Sequence, residues 1–398
     1  MKIVGLVTEY NPFHQGHLHH LEAAKEKTGA SHAIAVMSGH FLQRGEPALM
    51  NKWSRAKAAV EAGVDLVIEL PTQFACSSAE SFAYGAVSIL HDLNLVDHLV
   101  FGSEAGTTQE LYRIAECLNQ PTEDFQKALR QGLDQGLSYP RARSQALEAS
   151  LGFAHDFQPN NVLGIEYIRA GLKLKTPMTI DTIQRLQAGY MSTELTGTIA
   201  SATAIRQALE KKQLETIMNF VPPSTYAILK AHQPAFVFPK DLGQLLLYKI
   251  RTMSHEDLKC IHDITEGLEM KIKKAAQMAT DYPTLLEAVL SKRYTQTRIQ
   301  RIFVKILLNI KKSTFDVDKP LYARVLAFNK KGQEILKRLR KTSNLPLITN
   351  INKIHLSDQA KDQLDLDILA SDIYSLLNAN IHNYKGGLDH LEMPRIIL

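Results

Sequence analysis

The most constraining feature of this chain is the alternation of short apolar runs with helical segments across residues 1–210. The apolar runs are Ile3–Val7, Ala33–Met37, Leu66–Leu70, Leu99–Phe101 and, more weakly, Met178–Ile183. Helical patterns separate them at about His17–Lys27, Lys52–Ala62, Ala79–Leu90 and Gln109–Leu118. Strands buried on both faces lose their polar alternation, as the runs VDLVIEL and DHLVFG have. The alternation predicts an α/β fold, with a doubly wound parallel sheet covered by helices.

The pattern changes beyond Ile205, where it becomes helical almost throughout. The pair Pro222-Pro223 interrupts the helical pattern, and amphipathic segments follow, including Leu321–Lys341. A chain of 398 residues also exceeds the ~250–300 residues that one hydrophobic core usually supports. We therefore predict an α/β domain over residues 1–210 and a basic, mainly α-helical domain over residues 211–398.

Charge is distributed unevenly between these two parts. Residues 1–210 contain 17 basic and 22 acidic residues, whereas residues 211–398 contain 29 basic and 19 acidic residues. The net charge of +5 thus combines −5 in the first part with +10 in the second. This asymmetry favours a second part that contacts a polyanion, although a merely soluble basic domain would look similar.

Composition excludes several classes of protein. No stretch approaches the ~20 apolar residues of a membrane span, and the N-terminal segment resembles a strand more than a signal peptide. We therefore expect a cytoplasmic protein without a membrane segment. The three cysteines, Cys76, Cys117 and Cys260, are far apart, so we expect reduced packing residues rather than a disulfide framework.

The segment that leaves the first strand and enters the first helix contains the most informative motif. Asn11-Pro12 forms a turn, and Gly16 permits close approach of a ligand to the backbone. His14 and His17 are three residues apart at a helix N-terminus, where backbone amides and the helix dipole favour anions. Imidazole N–H groups at this position would hold nucleotide phosphates and stabilise the charge on departing pyrophosphate.

Two motifs carry a resemblance to a known superfamily. His14-Gln15-Gly16-His17 resembles the HIGH-type signature of nucleotidyltransferases, and the segment TIASATAIR, which ends at Arg206, is similar to their (I)S-x-T-x-[IL]-R helix start. The resemblance implies that Ser201 and Thr203 cap a helix and reach the γ-phosphate region, and that Arg206 faces the phosphates. On this basis His14, His17 and Arg206 are the predicted catalytic residues.

Longer segments resemble a narrower family, the bacterial tRNA(Met) cytidine acetate ligases. They include GLVTEYNPFHQGHLHHL, MSGHFLQRGEPALMNKWSRAKAAVEAGVDLVIELP and the Phe101–Glu104 turn. This resemblance implies that ATP and acetate form acetyladenylate, which acetylates N4 of the wobble cytidine in the anticodon region of elongator tRNA(Met). We also expect Mg²⁺ as a phosphate counter-ion and no fixed metal site.

The same resemblance implies a set of nucleotide-binding residues. They are Val7, Thr8, Glu9, Tyr10, Asn11, Pro12, Phe13, His14, Gln15, Gly16, His17, Leu18, His19, His20, Gly102, Asn161, Arg185, Ser201 and Thr203. The KMSKS lysine loop of synthetase-like relatives is absent, and SATAIR stands in its place. Arg206 and Arg185 are therefore both candidates to neutralise the departing pyrophosphate.

Simpler interpretations compete with several of these assignments. The closely spaced histidines could instead form a zinc site or have a purely structural role, although zinc would need further ligands. Ser201 and Thr203 could be ordinary helix caps. The loop Ser38–Pro47 could be an exposed connection or could contact the substrate, and Lys52 and Lys57 could be solvated.

Two basic clusters in the second part predict contacts with RNA. Arg298, Arg301 and Lys305 have i, i+3, i+7 spacing, which places them on one helix face. The second cluster consists of Lys337, Arg338, Arg340 and Lys341. Solvated helix faces are the alternative. For the whole chain, the rival functions are a small-molecule adenylyltransferase and a non-catalytic RNA-binding module.

Overall fold

The structure is a computed structural model, and it describes residues 1–153, 157–185, 199–265, 267–291, 294–378 and 385–397. Its strands are β1 (Ile3–Thr8), β2 (His32–Ser38), β3 (Leu66–Leu70), β4 (His98–Ser103), β5 (Thr179–Gln184), β6 (Ala323–Asn329), β7 (Leu347–Ile348) and β8 (Arg395–Ile397). Part of the second predicted motif, Thr198, lies outside the described residues.

The first ten helices belong mainly to the α/β part and its exit. They are α1 (Gln15–Thr28), α2 (Lys52–Glu61), α3 (Thr72–Ala75), α4 (Ala79–Asp92), α5 (Gln109–Asn119), α6 (Glu123–Asp134), α7 (Tyr139–Leu151), α8 (Pro159–Leu174), α9 (Ala202–Glu210) and α10 (Pro223–His232).

The later helices are α11 (Gly243–Thr252), α12 (His255–Cys260), α13 (Leu268–Met278), α14 (Tyr282–Val289), α15 (Gln296–Leu307), α16 (Lys330–Thr342), α17 (Asp358–Ser375) and α18 (Leu388–Leu391). Short 3₁₀ segments occur at Leu214–Phe220, Pro239–Leu242, Lys312–Asp316 and Ile351–Lys353.

One sheet organises the molecule, with strand order β5-β4-β1-β2-β3-β6-β7 and with β8 also paired to β6. Strands β1 to β5 are mutually parallel, which confirms the predicted doubly wound α/β fold. The chain proceeds from β1 through β2 to β3 and then returns to place β4 on the other side of β1. Ligands in such sheets bind beyond the carboxyl ends of the strands, where the order reverses. This reversal lies between β1 and β4.

Separate apolar cores cover the two faces of the sheet. Ile3, Ile34 and Ile68 pack beneath α4, α5 and α8, whereas Val4 and Leu6 pack on the other face, against α1 and α2. This division follows from the two-residue period of a strand. Helices α11 to α15 enclose most of a further core, in keeping with the mainly helical second part, and Phe41, Cys76 and the end of α17 also contribute to it.

The predicted helix over Leu321–Lys341 is wrong in its first third. Residues Ala323–Asn329 form β6, which runs antiparallel to β3, and helix α16 begins only at Lys330. Five consecutive residues of β6 are buried: the apolar Ala323, Val325, Leu326 and Ala327, and the ion-paired Arg324. Burial of consecutive residues is typical of a strand covered on both faces rather than of one face of a helix. The sheet therefore takes strands from both sides of residue 210, and the division into domains at that point remains a prediction.

Helix α16 lies at the amino ends of the parallel strands. The amide of Asn329, its N-cap, donates to Asp65 just before β3, and Lys331 Nζ donates to the carbonyl of Ser31 just before β2. At its other end, the Thr342 hydroxyl donates to the carbonyl of Leu93, after α4. The basic cluster on α16 is therefore at the opposite edge of the sheet from the carboxyl ends of β1 and β4.

Candidate active site

The two motif histidines are fixed by reciprocal hydrogen bonds at the start of α1. His14 is the N-cap, and its Nδ1 accepts from the Gly16 amide at 3.0 Å. The Nδ1 of His17 accepts from the His14 amide at 3.3 Å. Because each Nδ1 is an acceptor, each neutral ring has its proton on Nε2. The pair therefore offers Nε2–H donors for an anion.

Both imidazoles remain neutral at pH 7. Their rings stack with centroids 3.8 Å apart, and His14 is 5 % exposed. Burial lowers the pKa of His14 to about 3, with further contributions from the charges of Arg185 and Arg206. Burial also lowers the pKa of His17 well below its ordinary value. The two rings can therefore donate hydrogen bonds without the desolvation cost of a buried cation.

The second motif packs directly against the first, although the two are nearly 190 residues apart in the sequence. Arg206 Nη1 donates to the carbonyl of Asn11 at 2.9 Å, and its Nη2 donates to the Thr203 hydroxyl at 3.4 Å. Ser201 Oγ caps α9 by accepting from the Ala204 amide at 3.1 Å. Arg206 thus brings a permanent positive charge to the turn that contains the histidines.

Gly16 is required by the space between the two motifs. A Cβ atom at this position would lie 2.9 Å from Cε1 of His14 and 3.3 Å from Cγ2 of Ile199. Contacts this short would displace the His14 ring or the segment that precedes α9. The glycine of the HxGH motif therefore allows α9 to pack against the histidines.

Three further predicted nucleotide contacts meet at the end of β4. A Cβ at Gly102 would lie 3.2 Å from the Arg185 side chain and 3.9 Å from the His20 ring. The His20 ring bonds the Phe101 backbone, and its buried Nε2 has no hydrogen-bond partner within the described part of the chain. Burial and the charge of Arg185 lower the pKa of His20 to about 4. This group lies beside β1, at the reversal of strand order.

Asn161 has a structural task that the sequence analysis did not anticipate. Its Oδ1 accepts from the amides of Glu104 and Ala105, at 3.0 and 3.1 Å, and so holds the loop after β4. The preceding residue, Asn160, accepts from Arg185 Nη1 at 3.1 Å. The two asparagines therefore support the β4 loop and orient Arg185 beside it.

The loop Ser38–Pro47 is not an exposed connection. Seven of its ten residues are buried, and the amide of Gln43 donates to the Glu9 carboxylate at 2.7 Å. Nearby, the Leu49 amide donates to Asn11 Oδ1, also at 2.7 Å. These bonds tie the loop and its exit to the turn of the first motif, so the loop forms a wall of the site.

A buried charge cluster beneath this loop escaped the sequence analysis. Lys52, for which a solvated position was one expectation, is 0 % exposed, and its Nζ donates to Glu69 at 2.8 and 3.0 Å and to Asp389 at 2.7 Å. Arg324 also pairs with Asp389 and with Glu69. The partners come from four distant segments, so no local pattern could reveal the cluster. Lys57 remains partly exposed, as expected for a solvated lysine.

The predicted cationic face on α15 is wrong for Lys305. This residue is 1 % exposed, and its Nζ bonds Asp263 and His262. Arg301 faces the site loop, with Nη1 3.4 Å from the carbonyl of Gln43, and Arg298 lies over the Tyr294 ring. The apolar residues of α15 pack into the helical core, which carries Lys305 inward.

The second basic cluster is solvent-exposed. Lys337, Arg338, Arg340 and Lys341 lie on the outer face of α16, while Ile335, Leu336 and Leu339 pack inward. Their exposure leaves them accessible to a polyanion at the amino edge of the sheet.

The described residues contain neither a metal-binding cluster nor a membrane-spanning helix. Within that part of the chain, no group of three or more His, Cys, Asp or Glu residues could hold a metal ion. None of the described helices has the length and apolar character needed to span a membrane.

Comparison with known proteins gives close relatives over the full length. The HIGH Nucleotidyl Transferase family model matches residues 1–388. A tRNA(Met) cytidine acetate ligase of Alkaliphilus metalliredigens is 45% identical, covering 99% of this chain and 98% of the relative. Another, from Caldanaerobacter subterraneus, is 42% identical and covers 96% of both.

Solved structures agree with these relatives. A crystal structure of Thermotoga maritima TmcAL bound with alpha-thio ATP is 35% identical, covers 100% of both chains and superposes with a TM-score of 0.92. Its apo form gives a TM-score of 0.95 at the same identity. Since sequence and structure agree over the whole length, the chain belongs to the tRNA(Met) cytidine acetate ligase family of HIGH nucleotidyl transferases.

Proposed function

We propose that this protein activates acetate with ATP and transfers the acetyl group to N4 of the wobble cytidine of elongator tRNA(Met). The observation that carries the proposal is the stacked pair His14 and His17, whose Nε2–H groups are neutral donors beside the guanidinium of Arg206. The relatives named above and the structure with alpha-thio ATP support the same assignment.

In the first step, an acetate oxygen attacks the α-phosphorus of ATP. A P–O bond to acetate forms, and the bond between the α-phosphorus and the bridging oxygen breaks, so pyrophosphate leaves with the electron pair. His14 and His17 donate hydrogen bonds to the phosphates, and Arg206 balances the charge that develops on the leaving group. Because acetate is itself the nucleophile, this step requires none from the protein. Catalysis then comes from positioning the reactants and stabilising the developing charge.

In the second step, the cytidine N4 attacks the acyl carbon of acetyladenylate. A C–N bond forms, the C–O bond to the phosphate breaks, and AMP leaves with the electron pair while N4 loses a proton. The target base must leave its stack to reach the site, and an RNA loop permits this at low cost. The cytidine base would pass the loop Ser38–Pro47 as it enters the site.

Mg²⁺ would accompany the nucleotide rather than occupy a protein site. Phosphate oxygens and water would be the ligands of such an ion. Such an ion supplies charge neutralisation on the phosphates. Gly102, Arg185 and His20 would contact the nucleoside end of ATP, because they meet where β4 adjoins β1.

The RNA would contact two separate surfaces. Arg301 lies beside the site loop, and Arg298 lies one helical turn away on α15, so both suit phosphates close to the target nucleotide. The α16 cluster of Lys337, Arg338, Arg340 and Lys341 is on the opposite edge, roughly 20 Å away by the length of the strands. It suits backbone phosphates of the tRNA outside the anticodon loop.

A single experiment tests the proposed function. The protein is incubated with ATP and labelled acetate, with and without total tRNA, and the recovered RNA is digested for nucleoside analysis. We expect labelled N4-acetylcytidine only when tRNA is present. Adenylate formation without any RNA product would favour the small-molecule adenylyltransferase, and neither product would favour the RNA-binding module.

A further inference from the structure

Arg55 of α2 connects the two strand ends that flank the candidate site. The β1–β2 ladder ends at the pair Thr8–Met37. The next residue of each strand is bonded to the same side chain, since Arg55 Nη1 donates to the Glu9 carbonyl at 2.5 Å and Nη2 donates to the Ser38 carbonyl at 3.0 Å. The guanidinium therefore links the two strands at the point where the backbone hydrogen bonds between them end.

The remaining donors of Arg55 anchor the loop that forms the site wall. Its Nη2 also bonds the Gly39 carbonyl, and its Nε donates to the Met50 carbonyl at 3.1 Å. Four backbone oxygens from three segments thus converge on one planar group. A lysine ammonium has three donors around a single atom and cannot span these positions.

Among the described residues, the buried guanidinium of Arg55 is held by backbone carbonyls rather than by a salt bridge with a carboxylate. The side chain is 0 % exposed, and all four of the bonds just described end on neutral carbonyls. Burial lowers its pKa to about 10, so it remains charged at pH 7. A buried cation is costly, and here its bonds satisfy carbonyls that diverging strands leave without partners.

The turn that follows Glu9 is held from two sides. Tyr10 has a φ of 47°, a left-handed conformation that a bulky residue rarely adopts. Arg55 bonds the residue before it, and Arg206 bonds the residue after it, Asn11. Two guanidinium groups thus fix the backbone that leads to His14.

We propose that Arg55 is a positioning residue, which sets the spacing between the HxGH turn and the Ser38–Pro47 wall so that acetate can attack ATP in line. This inference rests on the proposed function. Arg55 acts through the backbone of Glu9, Ser38 and Gly39 and does not itself touch the substrates. Displacement of reacting atoms by about 1 Å costs on the order of 10²-fold in rate.

The test measures acetate-dependent pyrophosphate release by Arg55→Lys and Arg55→Met variants of the full chain, with Lys57→Met as the matched control on the same helix. We expect kcat for adenylate formation to fall about 10²-fold in both Arg55 variants, with KM for ATP within about threefold of wild type. Lys57→Met should match wild type, because Lys57 is exposed and pairs only with Glu61 among the described salt bridges.

Chemical rescue distinguishes loss of the positioning role of Arg55 from loss of folded protein. An Arg55→Gly variant should regain adenylation when guanidinium chloride is added at low millimolar concentration, and ammonium chloride at the same ionic strength should give no gain. The folded fraction of every variant is measured by urea unfolding.

Three outcomes would overturn the proposal. They are near-wild-type kcat in Arg55→Lys, losses that only track the unfolded fraction, and failure of all three Arg55 variants to fold. Absence of acetyladenylate in the wild type would instead refute the proposed function, so the two failures are distinguishable.

Discussion

At the scale of single residues, the site assigns charge and hydrogen bonding to different groups. His14 and His17 are neutral and supply directional donors, whereas Arg206 supplies the permanent charge. A protonated imidazole pair stacked at 3.8 Å would repel itself, so neutrality is a condition of this geometry. The histidines therefore act as neutral hydrogen-bond donors at pH 7.

Removal of either motif histidine should abolish adenylation without unfolding the protein. We expect His14→Ala and His17→Ala to reduce acetate-dependent pyrophosphate release by roughly 10²-fold or more, as loss of an oxyanion donor does. Loss of the His14 cap should cost about 0.5–2 kcal/mol of stability in urea unfolding. The exposed His355 offers a matched control, and His355→Ala should retain wild-type activity. Release within a few-fold of wild type in the motif variants would contradict the assignment.

The buried histidines also predict how stability depends on pH. The pKa of His14 falls from 6.5 to about 3 and that of His20 to about 4, so between these values the unfolded chain binds more protons than the folded one. The free energy of unfolding should therefore decrease as pH falls below 6.5, by urea unfolding at pH 7, 6 and 5. A His20→Asn variant should show a smaller decrease, and an equal decrease would show that His20 is not the cause.

At the scale of elements, the two basic helices have different surroundings. Helix α15 packs into the helical core and directs Lys305 to Asp263, whereas α16 exposes its cations at the edge of the sheet. Two basic clusters in the sequence thus differ in accessibility, because burial depends on which face of each helix its neighbours cover.

Charge removal on α16 should weaken RNA binding without affecting adenylation. Substitution of Lys337, Arg338, Arg340 and Lys341 by glutamine should lower tRNA affinity and flatten its salt dependence by about 0.7–0.9 in log–log slope per lost contact. Filter binding at several salt concentrations measures both. An unchanged slope would place the RNA surface elsewhere.

Lys305 should behave as a stability residue instead. Lys305→Met leaves Asp263 without its buried partner, and we expect a loss of about 1–3 kcal/mol in urea unfolding. The salt slope of tRNA binding should be unchanged, and a flatter slope would restore Lys305 to the RNA surface.

The sequence predicts the elements that have local periodicity and the motifs that have fixed spacing. Strands β1 to β5, the HxGH turn and the cap at Ser201 belong to this group. It misses β6, whose apolar run resembles a helix once it is joined to α16. It also misses Arg55 and Lys52, because their roles depend on partners brought together only by the folded sheet.

At the scale of the whole molecule, the sheet is completed by the second part of the chain. Strand β6 covers the free edge of β3, and Asp389 of α18 pairs with both Lys52 and Arg324. Beneath the site loop, the charges of Lys52 and Arg324 are thus neutralised by those of Glu69 and Asp389. The loop packs tightly on this cluster, since a Cβ added at Gly39 would lie 2.6 Å from Oε1 of Glu69.

Loss of Asp389 should therefore destabilise the whole protein. Asp389→Ala removes one of the two carboxylates that form salt bridges with both Lys52 and Arg324 among the described residues, and we expect a loss of about 3–5 kcal/mol in urea unfolding. The exposed Asp362 on α17 provides the control, with Asp362→Ala expected within about 0.5 kcal/mol of wild type. A loss below about 1 kcal/mol would show that the cluster tolerates two cations on one carboxylate.

The contact between Lys52 and Asp389 joins residues 337 positions apart. During synthesis, α2 and β3 leave the ribosome long before α18. Lys52 and Glu69 therefore lack Asp389 while the rest of the sheet forms. Arg324 then arrives as a second cation before Asp389 can balance it. The order of translation therefore determines when the floor of the site becomes rigid, and a nascent chain reaches its final geometry only after α18 has been made.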